Sequence, residues 1–405
     1  MNHEFFTDTP TPTRRDPVPR ILGGAVILLA VATIAVIVAT WPGARPGTTP
    51  PGQNLNTVLA QVTSVRAEAC SVPDPRGCER AHFKIIEGAD QGDTGSLLFS
   101  GMNKDATVSA GDRIRVVKTP AENLALETGD IKIEQWSFSD FDRRGPMLWL
   151  ALFFVAVVLV AGRLKGLRAL FGLGLSVAVV LGYLVPGLLN GENSLLIAMA
   201  AAFAVMFLTI PLAHGWGLTT IAATLGTAAS LGITVGLAVL FTNLTNLTGF
   251  GSEDAAYLSA TTGDVSIRGL LLAGIVIATL GVLDDVTITQ ASTVLALRRA
   301  NPLLGYRQLF VRALSVGRDH ITATINTLVL AYAGASLPTL LIFAVADVRV
   351  SDALNGENVA SQVVGTLVGS IGLIAAVPIT TALAALLAAH VRSEDIDPHE
   401  GHTHG

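Results

Sequence analysis

Apolar residues in this chain fall in runs of about 20, the length an α-helix needs to cross the ~30 Å hydrocarbon layer of a bilayer. Ile21–Ala39 is one such run and Gly269–Leu283 opens another. A backbone surrounded by lipid must satisfy its own N–H and C=O groups, which a helix does internally. Composition agrees, since 51% of the 405 residues are hydrophobic and 14% are charged, against about 25% charged in ordinary soluble domains. The expected fold class is an all-α polytopic membrane bundle of about eight transmembrane helices with a small all-β extracytoplasmic domain. Its first partner is then the lipid bilayer. The net charge of −5 is scattered over loops and tails and leaves no nucleic-acid footprint.

Residues 1–20 are rich in Pro and Thr, carry Arg14, Arg15 and Arg20, and read as a disordered cytoplasmic tail. Residues 21–39 form the first span, an anchor helix whose apolar core exceeds the roughly 7–15 residues of a signal peptide. Residues 54–140 change character. Short β-branched runs (Thr57–Val65, His82–Ile86, Arg113–Lys118, Ile131–Trp136) are punctuated by Gly, Asp and Asn, as in a small β domain. Five or so short strands suit a barrel of the oligonucleotide/oligosaccharide-binding type, an analogy of fold that names no ligand.

Residues 147–390 hold about seven further spans, placed near 147–162, 166–189, 194–212, 217–241, 269–291, 320–346 and 361–390. Residues 391–405 form a cytoplasmic tail containing His399, His402 and His404. That tail lacks the fixed geometry of a metal site, and no metal or cofactor is expected. With the first arginines inside, the inner loops hold Arg163, Lys165 and Arg168, then Arg298, Arg299, Arg307, Arg312 and Arg318, then Arg392, as the positive-inside rule requires. Arg143 and Arg144 fall outside as an exception. Both termini are then cytoplasmic and the β domain extracytoplasmic. There Cys70 and Cys78 can oxidise to a disulfide, a reduced pair being the alternative.

The text GVLDDVTITQAS at 281–292 and GRDHITATINTLVLAYAG at 317–334, within two adjacent spans, resembles the YibE/F-like family of bacterial multi-spanning membrane proteins. Similar text occurs at 164–196, at GLTTIAATLGT (217–227) and in the GDRIRV of the β domain, so the resemblance covers roughly 54–390. It implies a permease-like architecture in a bacterial cytoplasmic membrane and supplies no catalytic residues. The chain departs from the commoner family text by having two adjacent acids, Asp284 and Asp285, where a single Asp after a Met is more usual.

An aspartate in the hydrocarbon region costs about 2.5–3.5 kcal/mol on insertion scales. Two side by side therefore suggest a site, unless the span ends early and both acids reach the headgroup layer. On a helix Asp285, Thr289 and Ser292 share one face, and Asp284, Thr287 and Gln290 lie on the other flank. The hydroxyls beside Asp285 favour it as the ion-binding acid. Rise per residue places Asn326 about 9 Å and Asp284 about 12 Å from the cytoplasmic end. Asn326, Thr324 and Thr327 are thus expected to join the acids as neutral ligands, with Thr220, Thr224, Thr227, Thr380 and Thr381 in the same layer. Single hydroxyls also commonly bond their own helix or glue helices together. AATLGT (222–227) aligns with TATINT (322–327), and 279–291 with 370–382. These matches read either as a parallel duplication or as chance similarity among residue-poor membrane helices.

There is no Walker A pattern, no HExxH and no GxSxG, so the chain is not expected to be an enzyme. The reading that fits best is a secondary transporter of a small ion or solute using the intramembrane Asp, Asn and Thr residues. The alternative is a non-transporting membrane scaffold or envelope assembly factor acting through the β domain, with an envelope protein or a second copy of the chain as partner.

Overall fold

The computed structural model describes residues 17–43, 57–68, 77–99, 108–118, 136–262 and 265–391. These divide into two compact units, Gly47–Val160 and the remainder of the chain. The tails, including His399, His402 and His404, and Cys70 with its expected bond to Cys78, lie outside the described residues.

In the smaller unit β1 (Val58–Glu68), β2 (Cys78–Ile85), β3 (Thr94–Phe99), β4 (Arg113–Lys118) and β5 (Trp136–Phe141) form one antiparallel sheet in the order β3-β2-β1-β4-β5. Alternation buries one face only: Ala60, Val62, Ala81, Phe83, Ile85, Leu97, Phe99, Ile114, Val116 and Trp136. A strand's side chains alternate in direction, so a single apolar face is what a half-buried sheet requires. Bulges at Val62/Ser64 and Arg115/Val116 add curl. The edge strands approach each other through side chains, Phe99 of β3 lying edge-on to Phe138 of β5 with ring centroids 5.4 Å apart. The result is a small curled half-barrel. Gly95 is required within it, because a Cβ there would strike the Phe83 ring and come within 2.9 Å of Trp136. β3 was not anticipated, and β5 begins where the fourth predicted run ends, the stretch 131–135 lying outside the described residues.

Helices make up the rest: α1 (Pro17–Ala39), α2 (Arg144–Val179), α3 (Val185–Leu189), α4 (Ser194–His214), α5 (Leu218–Leu244), α6 (Glu253–Thr262), α7 (Ile267–Ala300), α8 (Tyr306–Ala335), α9 (Leu337–Val345), α10 (Val350–Asn355) and α11 (Glu357–Ala389). Among the described residues six stretches are long and apolar enough to cross a membrane, or seven when α8 and α9, bent by 57°, count as one. The continuous stretch Arg144–Leu189 contains both predicted spans 147–162 and 166–189, with Arg163 at φ 50°, ψ −129° between them. A π-helical turn at Val180–Leu184 joins α2 to α3.

The larger unit has its polar groups inside. Thr220, Thr224, Thr227, Ser230 and Thr234 of α5, Thr287 and Gln290 of α7, and Ser370, Thr380 and Thr381 of α11 are all buried, while Leu, Val and Phe side chains stand exposed on the outer surface. Lipid tails are as apolar as leucine, so small residues and interhelical hydrogen bonds hold such a bundle. α5 and α11 run antiparallel and interlock twice. Thr380 fills the notch at Gly226, and Thr234 fills the notch at Gly372. α7 and α11 run parallel, with Gln290 Nε2 donating to Thr381 Oγ1 at 2.7 Å and to the carbonyl of Ala313 on α8 at 2.8 Å. Gln290 and Thr381 are also equivalent positions in the 279–291/370–382 alignment.

Candidate functional site

α4 and α7 run parallel in a register that persists along their length. At one end Gly269 of α7 receives Ser194 of α4, and 15 residues further on, at the same offset of 75, Thr209 meets Asp284. Gly269 permits the close approach, since a Cβ there would overlap the Ser194 side chain. Asn193 caps α4 by accepting from the Leu196 N–H at 3.1 Å, and Ser266 caps α7 by accepting from the Gly269 N–H at 3.1 Å. Both caps supply the acceptor that the first free N–H groups of a helix need. The depth of Asp284 beside α4 is thereby tied to the helix starts.

The two acids line a cavity of about 330 Å³ between α2, α4 and α7, together with Arg168, Gly172, Ser176, Thr209, His214 and Gly281. Asp284 is partly buried and Asp285 exposed. One oxygen of Asp284, Oδ2, accepts from Thr209 Oγ1 at 3.2 Å. The other, Oδ1, is buried without a hydrogen-bond partner among the described residues. A buried carboxylate oxygen is costly to leave unpaired, so this atom points to a species the cavity is built to receive, such as a proton, a cation or water.

Thr209 is suited to both states of the acid. Its hydroxyl also lies 2.9 Å from the Val205 carbonyl, and a hydroxyl has one proton and two lone pairs. With Asp284 ionised, Thr209 donates to the carboxylate. With Asp284 protonated, the carboxyl can donate to Thr209 Oγ1 while Thr209 donates to Val205. The local hydrogen bonding survives a change in charge.

The other expected ligands are dispersed. Asn326 and Thr327 of α8 are exposed and Thr324 is half-buried, Thr324 and Thr327 each donating to the carbonyl four residues earlier. α8 contributes nothing to the lining of the acid cavity. Thr289 and Ser292 are exposed on the Asp285 face of α7, Ser292 lining a second pocket of about 180 Å³ with His214, Thr219, Ala296 and Arg299. The threonines expected in the same layer belong to the interior seam: Thr227 and Thr287 share a hydrogen bond of 2.7 Å, and Thr220 donates to the Gly215 carbonyl. Sequence reasoning missed Thr209, Ser176, Arg168 and His214 as cavity residues. The one available signal was Thr209 as a lone polar residue in the apolar run AFAVMFLTIPL.

A bundle of apolar helices around a polar interior, with a carboxylate pair in a cavity among three of them, defines a polytopic membrane protein. The chain belongs to the YibE/F-like protein family, whose profile matches residues 149–390. The match covers the helices from α2 to α11 and stops short of the β-sheet, so GDRIRV lies outside it. No curated protein and no solved structure matches the chain.

Proposed function

We propose that the protein is a permease-like secondary transporter in which Asp284 binds a proton or a small cation during the transport cycle. The observation that carries this reading is the Asp284 carboxyl itself, one oxygen held by Thr209 and the other buried, unpaired, at a 330 Å³ cavity. Intramembrane carboxylates with such surroundings mark ion and proton pathways. Asp285, on the same cavity but exposed, is the secondary acid. Selectivity for a neutral part of the cargo falls to Ser176 and Thr209. No covalent chemistry is assigned to the chain.

Eight spans fit the geometry. At 1.5 Å per residue the 46-residue stretch Arg144–Leu189 would extend about 69 Å, over twice the hydrocarbon thickness. The non-helical Arg163 supports reading it as two spans. Adding the bent α8–α9 pair as one span brings both ends of the chain to the cytoplasmic face of a bacterial cytoplasmic membrane, with the β-sheet outside. The arginine-rich segment between α7 and α8 is then inside.

The test is flux through proteoliposomes containing the full chain. Proton, Na⁺ and K⁺ gradients are imposed in turn, with a pH dye and ion-selective indicators as readout. A gradient-dependent flux abolished by Asp284→Asn at unchanged protein content supports the proposal. Flux absent for every ion, or unaffected by Asp284→Asn, rejects it and favours the scaffold alternative.

A further inference from the structure

The Asp284 cavity and the second pocket have one residue in common. His214, the last residue of α4, lines both: on one side the space bounded by Asp284 and Asp285, on the other the space bounded by Thr219, Ser292 and Arg299. Gly215 at φ 81° ends α4 immediately after it and turns the chain into α5. The imidazole is exposed at the end of α4 while forming part of the wall of both spaces. A side chain with two ring nitrogens can take a proton at one and release it at the other.

We propose that His214 is the proton-transfer residue between the Asp284 cavity and the pocket bounded by Thr219, Ser292 and Arg299. The inference rests on the reading of Asp284 as a proton-binding acid and names the route by which that proton leaves. In the release step the Asp284 O–H bond breaks and its proton passes, through water in the cavity, to the unprotonated ring nitrogen of His214. The other ring nitrogen then gives its proton to water in the second pocket, and the carboxylate is left to accept from Thr209. One proton leaves the acid and one reaches water, with His214 neutral before and after, in its other tautomer. A ring rotation or return transfer restores the tautomer. The charged groups around His214 are Lys165 and Arg168 of α2 and Asp284, Asp285 and Arg299 of α7.

The experiment follows the protonated-carboxyl infrared band of the full chain in lipid after a pH jump, with the band assigned by its loss in Asp284→Asn. His214→Gln is expected to slow proton release at least about tenfold with unchanged band amplitude, an apparent barrier increase of about 1.4 kcal/mol. Free imidazole, or His214→Glu as a substitute proton carrier, is expected to restore much of the rate. Thermal melting of each variant shows that it is folded. A parent-like rate in folded His214→Gln, or slowing that neither imidazole nor His214→Glu reverses, overturns the relay alone. A carboxyl band that Asp284→Asn leaves intact overturns the proton-binding reading of Asp284 and the relay with it.

Discussion

At the scale of the residue, Asp284 and Asp285 are the same side chain one position apart, and their neighbours separate them. Asp285 faces the exposed side with Thr289 and Ser292, whereas Asp284 is drawn toward Thr209. We predict that Asp284→Asn abolishes proteoliposome flux while Asp285→Asn retains a substantial part of it. Equal loss in both variants would assign the function to the pair. Thr209→Val removes the one side-chain hydroxyl that the described residues place on the carboxylate and is predicted to destabilise the ionised acid by about 1–3 kcal/mol. That change would be read as an upward shift in the Asp284 titration midpoint, and an unmoved midpoint would count against the contact. The acids were legible in the sequence because a charge inside an apolar run is conspicuous by its cost. Their partner was not. Counting residues fixes depth in the membrane but leaves direction around the helix axis open, so Asn326 at a similar depth was assigned to a site that it does not line. Thr209 is selected by which helix lies beside α7 and in what register, a property of packing.

At the scale of the element, the firmest contact is the antiparallel seam of α5 and α11, where hydroxyl knobs enter glycine notches in both directions. The sequence contains two Gly-xxx-Gly motifs, 232–236 and 365–369, and packing treats them differently. The Gly365/Gly369 pair faces α7, an added Cβ lying 3.5 Å from Ile275 Cγ1 or 3.3 Å from Thr279 Oγ1, whereas Gly232 and Gly236 have nothing within 4 Å. A small-xxx-small pattern gives a helix a smooth face without saying whether a neighbour uses it. Gly226, outside either motif, is the tighter position. We predict that Gly226→Ala lowers the melting temperature in detergent, because the new methyl would meet the Thr380 side chain and lie 3.3 Å from its Cα. The expected cost is about 1–3 kcal/mol from overpacking. Thr380→Gly in that background should return part of it, offset by about 1 kcal/mol for a glycine within a helix. Strictly additive losses in the double variant would show that the two positions do not meet.

At the scale of the whole chain, orientation decides the chemistry available to each part. Apolar runs marked the helices that are long and apolar enough to cross a membrane, because the length of a helix and the thickness of a bilayer are fixed quantities. The non-helical break at Arg163 falls where the sequence gathers the charges Arg163, Lys165 and Arg168. An extracytoplasmic β-sheet would put Cys70 and Cys78 where disulfides persist, and mass spectrometry of protein from the native membrane is predicted to find them linked. Free thiols at both would remove that support. The direct measurement labels Asp93→Cys, in the turn before β3, and Gly305→Cys, between α7 and α8, each in a chain with both native cysteines changed to serine. A membrane-impermeant maleimide applied to intact cells should modify residue 93, and residue 305 only after the membrane is opened. If both sites react in intact cells, an even number of spans separates the anchor from α8 and the eight-span count is wrong. If only residue 305 reacts, the whole chain is inverted. His214 would then face outward, and proton release through it would run to the extracytoplasmic side.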